Sequence, residues 1–237
     1  MSGRDPLQEL ADSPHRAALL LDVDGVLAPI VPRPEDARVP WETRAELARL
    51  AGRYALVACV TGRVGEEARR IVSVEGVEVV GEHGLELVPE AERWVEPLAR
   101  FAESAPWPAE RKRLTLAFHW RTAPDEEEAL AVLQPLAEQA EREGFRPRWG
   151  RKVLEVRPPV EADKGTAVRA LLERDGLRRA LYAGDDTTDV DAFRALDGLE
   201  LAVRVAVASA EGPRELREAA DVVVDGPAEL LAVLQRL

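Results

Sequence analysis

Two apolar runs in this chain each end in clustered acids. LLLDVDG carries Asp22 and Asp24, and LYAGDDTTD carries Asp185, Asp186 and Asp189 after Gly184. Acids at a strand end repel one another unless a cation lies between or beside them. Taken singly, DVDG also suits a turn and Asp189 a helix N-cap, because Asp and Gly favour both. Two strands ending this way point instead to one shared hard-cation site, with oxygen ligands suited to Mg²⁺ rather than zinc. No Cys/His spacing offers a zinc site, and neither cluster has the ligand pattern of an EF-hand. Carboxylates and a few waters around Mg²⁺ are a common way of binding phosphate groups.

Phosphate also needs donors, and two further stretches supply them. VACVTGR places Thr61, Gly62 and Arg63 after an apolar run, giving a hydroxyl and backbone N–H groups. VEADKGTAVRALL opens a helix at Lys164 and Gly165, and a helix N-terminus favours an anion. A lone lysine at a helix start is ordinarily just solvated. Here four stretches converge, each at a strand end or helix start, where a doubly wound sheet gathers its site.

The elements that must position these residues follow from the apolar pattern. Short β-rich runs recur at 17–21, 54–60, 77–80, 180–183, 201–207 and 221–224, mostly separated by stretches of helical period. That alternation predicts an α/β fold with a doubly wound, mostly parallel sheet covered on both faces. After Pro40 a helix is expected with Trp41, Ala45, Leu47, Ala48 and Leu50 as its apolar positions, stopping at Gly52. Further helices are expected from about Gly65, over 164–174 and over 189–196.

The middle reads differently, as strand (LTLAFHWR), helix (DEEEALAVLQPLAEQAERE) and two strands joined at Gly150. It predicts an inserted α+β cap domain over 106–160, within a core formed by 1–105 and 161–237. A helix at about 91–103 leads into it, and Pro106-Trp107-Pro108 marks the break.

With 237 residues, 46% hydrophobic and 32% charged, the chain has the balance of a globular protein rather than a disordered one. A net charge of -12 argues against nucleic acid or anionic membranes as partners, so an anionic substrate needs a local basic pocket. The single Cys59, inside an apolar run, excludes an intramolecular disulfide and fits a reducing cytoplasm. The polar, acid-containing start is unlike a signal peptide and no apolar run reaches membrane-spanning length, so a cytoplasmic monomer acting on a small molecule is expected.

DVDGVL, VTGR, DKG and GDDTTD, in that order over residues 22 to 189, resemble the four motifs of the haloacid dehalogenase superfamily of phosphotransferases. More narrowly, DVDGVLAPI, GEHGLEL, KRLTLAFHWR, KVLEVRPPVEADKG and GDDTTDVDAF resemble the trehalose-6-phosphate phosphatase family across both core and insert. The resemblance implies that Asp22 is the nucleophile, forming an aspartyl phosphate, and that Asp24 is the acid and then the base. It implies that Thr61, Gly62 and Lys164 hold the phosphoryl group, and that Asp22, Asp185 and the backbone carbonyl of Asp24 bind Mg²⁺. Asp186 and Asp189 would stand behind these ligands. Two departures are Val26, where the superfamily commonly has Thr, and Val190, where the trehalose-phosphate branch often has Glu.

For the sugar, the resemblance implies Lys112, His119 and Glu155 as cap contacts; His83, which follows a strand end in VVGEHGLEL, is a further candidate by its place in the sequence, with Arg63 and Arg121 as weaker ones. Each has a plain reading too. His119 alternates along a strand and fits a half-buried structural histidine, Lys112 fits a solvated charge, and Glu155 fits a cross-strand pair with Arg157 or Arg151. His83 fits a turn histidine beside Gly84, and Trp94, Trp107 and Trp120 fit a small buried core better than sugar stacking. The expected substrate is trehalose 6-phosphate. Sucrose phosphate or mannosyl-3-phosphoglycerate is the alternative, and a non-catalytic sugar-phosphate sensor a more distant one.

Overall fold

The computed structural model describes residues 5–31, 33–150, 152–208 and 212–237. The chain begins with α1 (Pro6–Ala11), β1 (Ala18–Leu21), α2 (Trp41–Ala51), β2 (Leu56–Val60), α3 (Gly65–Val72) and β3 (Glu78–Val80). Then come α4 (Val95–Ser104), β4 (Glu110–Arg111), β5 (Leu116–His119), α5 (Glu126–Arg142), β6 (Arg146–Gly150) and β7 (Val153–Arg157). The last third alternates again: α6 (Lys164–Arg174), β8 (Arg179–Gly184), α7 (Asp189–Ala195), β9 (Leu201–Ala208), α8 (Arg214–Ala219), β10 (Val222–Asp225) and α9 (Gly226–Leu234). Two units result, one formed by the chain up to Gly84 and from Ala162 onward, the other by Leu85–Glu161.

The first unit is the doubly wound α/β fold expected. Its six strands run parallel in the order β3-β2-β1-β8-β9-β10. All four residues of β1 are buried, and they divide between two apolar layers. Leu19 and Leu21 pack with Leu47, Leu50, Ile71 and Leu230, from α2, α3 and α9. Ala18 and Leu20 pack with Val168, Leu171 and Phe193, from α6 and α7. A strand covered on both faces must be apolar at every position, which is why these strands read as runs rather than alternations. The chain leaves β1 toward β3 on one side and resumes at β8 on the other, so the switch point lies between β1 and β8, where ligands gather in such sheets.

Helix α2 ends before Gly52 as expected, but its buried stripe is Thr43, Leu47 and Leu50, and Trp41 is 70% exposed. Positions 43, 47 and 50 follow the i, i+4, i+7 spacing of one helix face, and Trp41 in the first turn falls off it.

The second unit is an antiparallel sheet in the order β4-β5-β7-β6 with an apolar layer on one face. Leu116, Phe118, Leu154 and Val156 pack there with Leu98 and Phe101 of α4 and Leu133 and Leu136 of α5. Trp120 is buried in the same cluster, with Trp94 and Trp107 packed against it. This unit starts earlier than the break drawn at 105/106, because Leu98, Phe101 and Ala102 commit α4 to its core. Pro106-Trp107-Pro108 lies inside it, and the Trp107 indole N–H donates to the His119 carbonyl at 2.9 Å. Pro97 is tolerated in α4 because it stands in the first turn, where no intrahelical N–H bond is lost.

Candidate active site

Asp22 is the residue after β1, and its backbone N–H continues the ladder by donating to the Ala183 carbonyl at 2.9 Å. Thr61 follows β2 and Asp185 follows β8, so three strand ends flanking the switch point deliver the site. Lys164 opens α6, which is started by a capping box between Asp163 and Thr166.

The side chains meet around Lys164, which is buried to 2% exposure. Its ammonium donates to Asp22 Oδ2 at 2.6 Å and to Asp189 Oδ1 at 2.7 Å. Asp189 is fully buried and also accepts from the Tyr182 hydroxyl at 2.7 Å and from the backbone N–H groups of Asp185 and Asp186 at 3.0 and 2.9 Å. Four donors fill both oxygens of Asp189, so it orients Lys164 and the Asp185 loop rather than offering a free ligand atom. The helix N-cap reading of Asp189 does not hold, because Asp189 is the first residue of α7 and Thr188 precedes it as the cap. The side chain of Asp186 is exposed and accepts from Thr187 at 3.2 Å.

Oxygens of Asp22, Asp185 and Asp189 lie within 4.8 Å of one another. Burial pushes Asp22 up to about 7 against the pull of Lys164, with Asp189 adding to the rise. Burial, then the charges of Asp22 and Asp189, push Asp185 up to about 8. Burial alone would lower Lys164, but Asp189 and Asp22 carry it upward, so it stays charged. Three buried or partly buried acids thus face one ammonium, and the remaining negative charge suits a hard divalent cation on oxygen ligands. Asp22 and Asp185 have the carboxylate oxygens to hold it.

Gly25 makes that approach possible. It sits at φ +74°, and a Cβ there would lie 2.1 Å from Asp185 Oδ2. Only glycine adopts this turn while leaving the space for Asp185. A second close approach fixes His83, whose ring lies 2.6 Å from where a Cβ on Gly62 would be. His83 is half-buried, with its backbone N–H on the Thr61 carbonyl at 2.9 Å, so it braces the Thr61-Gly62 turn. The buried Thr61 hydroxyl accepts from the Arg63 N–H at 3.3 Å. Arg63 turns its guanidinium onto Asp24, with Nε to Oδ2 at 2.6 Å and Nη2 to Oδ1 at 2.8 Å.

The sugar candidates of the second unit fall on its sheet. His119 and Glu155 lie on the face opposite the apolar layer, since Ala117 pairs with Glu155 and His119 with Val153 across β5 and β7. His119 Nε2 is 2.8 Å from Glu110 Oε2, so it is an exposed paired histidine rather than a half-buried one. Glu155 stands opposite Arg148 of β6, and Arg151, weighed as its partner, lies outside the described residues. Lys112 is in the turn after β4, its N–H bonded to the Thr115 carbonyl at 3.0 Å. Arg121 is exposed in the turn after β5.

Tyr182 is the functional neighbour that sequence reasoning missed. In LYAG it reads as a core aromatic, and the available signal is that a buried tyrosine hydroxyl needs a partner.

The family model described as trehalose-phosphatase matches residues 20–107 and 108–225. The chain belongs to the trehalose-phosphatase family. A trehalose-phosphate phosphatase of Mycobacterium marinum is 32% identical over 80% of this chain and 54% of its own length. A probable trehalose-phosphate phosphatase of Arabidopsis thaliana is 28% identical over 97% of this chain and 70% of its own. The chain also matches a Mycobacterium tuberculosis protein described as an uncharacterized glycosyl hydrolase, at 36% identity over 80% of this chain, but spans only 16% of that protein. In fold, a trehalose-6-phosphate phosphatase related protein superposes with TM-score 0.74 at 24% identity, covering 92% of this chain and 95% of its own. A haloacid dehalogenase-like hydrolase from Bacteroides thetaiotaomicron follows at TM-score 0.61 and 15% identity, over 93% and 98%. These likenesses agree with the superfamily fold expected from the four motifs.

Proposed function

We propose that this member of the trehalose-phosphatase family is a Mg²⁺-dependent phosphatase that hydrolyses trehalose 6-phosphate through an aspartyl phosphate on Asp22. The observation that carries the reading is the buried Lys164 ammonium joining Asp22 to Asp189 beside Asp185. A charged donor fixed against a carboxylate nucleophile is what an attack on an anionic ester requires. A sensor would need neither.

In the first step an Asp22 oxygen attacks phosphorus, the bond from phosphorus to the sugar oxygen breaks, and Asp24 gives that oxygen its proton as trehalose leaves. In the second step water attacks the phosphorus of the aspartyl phosphate, Asp24 takes its proton, and phosphate leaves with Asp22 restored. Lys164 and the Thr61 hydroxyl, with the Gly62 backbone, hold the phosphoryl oxygens, and the charge of Lys164 offsets the repulsion between two anions. Mg²⁺, held by Asp22, Asp185 and the Asp24 carbonyl, would supply further charge neutralisation at the transferring group. Lys112, His119 and Glu155, together with His83, are the proposed sugar contacts. A net charge of -12 and the lack, among the described residues, of any helix long and apolar enough to cross a membrane support a cytoplasmic enzyme acting on a free sugar phosphate. A monomer is the proposed state.

Purified protein with Mg²⁺ should release phosphate from trehalose 6-phosphate faster than from sucrose phosphate, mannosyl-3-phosphoglycerate or other sugar phosphates. No preference would sink the substrate, and no release from any ester would sink the reaction.

The cation has a test of its own. Without metal, Asp22 and Asp185 hold protons up to about pH 7 and about pH 8, whereas unfolded aspartates release them near ~3.9. The folded state therefore binds more protons between these limits, and stability should fall as pH rises from ~4 toward ~8. Mg²⁺ replaces those protons, so it should raise Tm by on the order of several degrees near pH 8 and by much less near pH 5. Equal gains at both pH values in thermal melts would argue against these acids as the cation site.

A further inference from the structure

We propose that Arg63 is a positioning residue for Asp24, an assignment that rests on the phosphatase reading above. The guanidinium grips both oxygens of the Asp24 carboxylate, at 2.6 and 2.8 Å, in the two-pronged geometry that fixes a carboxylate in plane and orientation. Two further contacts fix the guanidinium itself. Nη2 donates to the Pro34 carbonyl at 3.1 Å, and Nη1 donates to Glu67 Oε1 at 2.5 Å, one turn along in α3. Four of the five N–H groups that an arginine carries are thus spent inside the first unit, and the side chain is only 11% exposed. A guanidinium so committed has little left to offer a sugar.

The Asp24 side chain, in contrast, is 39% exposed. Without the fork it would be free to turn among rotamers, most of which point away from a scissile bond. Each of its oxygens keeps a second lone pair outside the fork, so proton transfer can occur while the carboxylate stays held. The anchor is well placed for the task. The Arg63 N–H bonds the Thr61 hydroxyl at 3.3 Å and the Arg63 carbonyl accepts from the Glu82 N–H at 2.7 Å, so the turn that receives the phosphoryl group also sets the direction of Asp24.

The test compares Arg63→Met and Arg63→Lys with the unaltered protein on two esters, in the presence of Mg²⁺. Trehalose 6-phosphate has an alkoxide leaving group that needs its proton; 4-nitrophenyl phosphate releases a stable phenolate that does not. Arg63→Met should lower kcat on the sugar ester by roughly 10- to 100-fold with KM within about twofold. Its first-turnover release of nitrophenolate should fall by less than about threefold, since that step asks little of Asp24. Arg63→Lys, which can hold one oxygen, should recover part of the kcat. A raised KM with kcat intact would overturn the proposal in favour of sugar binding, and an equal fall on both esters in the first turnover would overturn it in favour of a structural role. Unaltered kinetics would also overturn it. If the unaltered protein prefers another sugar phosphate, only the substrate assignment falls, and the same measurements on that ester support or overturn the role of Arg63. If it hydrolyses no ester, the phosphatase reading fails and this proposal fails with it.

Discussion

Asp22→Asn should stop phosphate release, by more than about 10⁴-fold, while leaving a folded protein. The amide has nearly the same shape, but its single oxygen can accept from only one of the two donors on Asp22, the Lys164 ammonium on Oδ2 at 2.6 Å or the Val23 N–H on Oδ1 at 2.7 Å, while Lys164 keeps Asp189 as a partner. What it lacks is a nucleophilic oxygen. The change in stability has a sign as well. Asp22 is a buried acid pushed up to about 7 chiefly by desolvation, so above that pH the fold holds a charge it would be more stable without. In the metal-free protein near pH 8, Asp22→Asn should therefore leave Tm unchanged or higher, and flatten the fall of Tm with rising pH. Phosphate release together with thermal melts decides both points. Turnover retained in the variant would exclude the covalent route through Asp22, and a collapse of Tm at all pH values would mean that the loss of activity reflects unfolding.

Lys164→Met should damage both activity and stability. Methionine matches the buried stem of lysine but brings no charge, so Asp22 and Asp189 lose the ammonium they share at 2.6 and 2.7 Å. Removing one partner of a buried ion pair typically costs about 3–5 kcal/mol, because the other partner stays desolvated. In a chain of this size that is a fall in Tm on the order of ten degrees. Turnover should drop by about 10²–10³-fold or more, the scale of a lost donor to developing negative charge. The stability loss should shrink at low pH, where Asp22, pushed up to about 7, is protonated and no longer needs a counter-charge, and a urea titration near pH 5 and near pH 8 would measure the difference. A stability loss independent of pH would point to packing instead of charge.

Much of this arrangement is legible in the sequence because the site is built from local features. Parallel strands buried on both faces leave unbroken apolar runs, and all six core strands fall where those runs do. The residues of the site directly follow them or start a helix. What escaped depends on distant packing. Nothing local in RWVEPLARFAES says which core it joins, and α4 goes with the second unit only because its apolar stripe meets the sheet residues Leu116 and Phe118. The fork from Arg63 to Asp24 joins residues far apart in the chain, and the hydroxyl of Tyr182 is hidden in an apolar run. The two departures from the family pattern become plain in the fold. Val26 is fully buried among Leu19, Leu21 and Val23, and Val190 packs in the layer with Phe193. Both are core side chains here.

The order β2-β1-β8 carries a consequence for how the chain comes to be folded. One edge of β1 is matched by β2 soon after it is made, but the other waits for β8, which follows the entire second unit. At about 5–20 residues per second, synthesis of the intervening ~150 residues takes on the order of ten seconds. Over that interval a strand of Ala18-Leu19-Leu20-Leu21 presents unpaired backbone groups and an apolar surface, the combination most prone to pairing with another chain. Asp22 and Asp24 close that strand directly, and their charges face the same solvent until Lys164 and Asp185 arrive. The acids of DVDG therefore place repulsive charge at the end of a nascent edge strand, a position where acidic residues discourage aggregation.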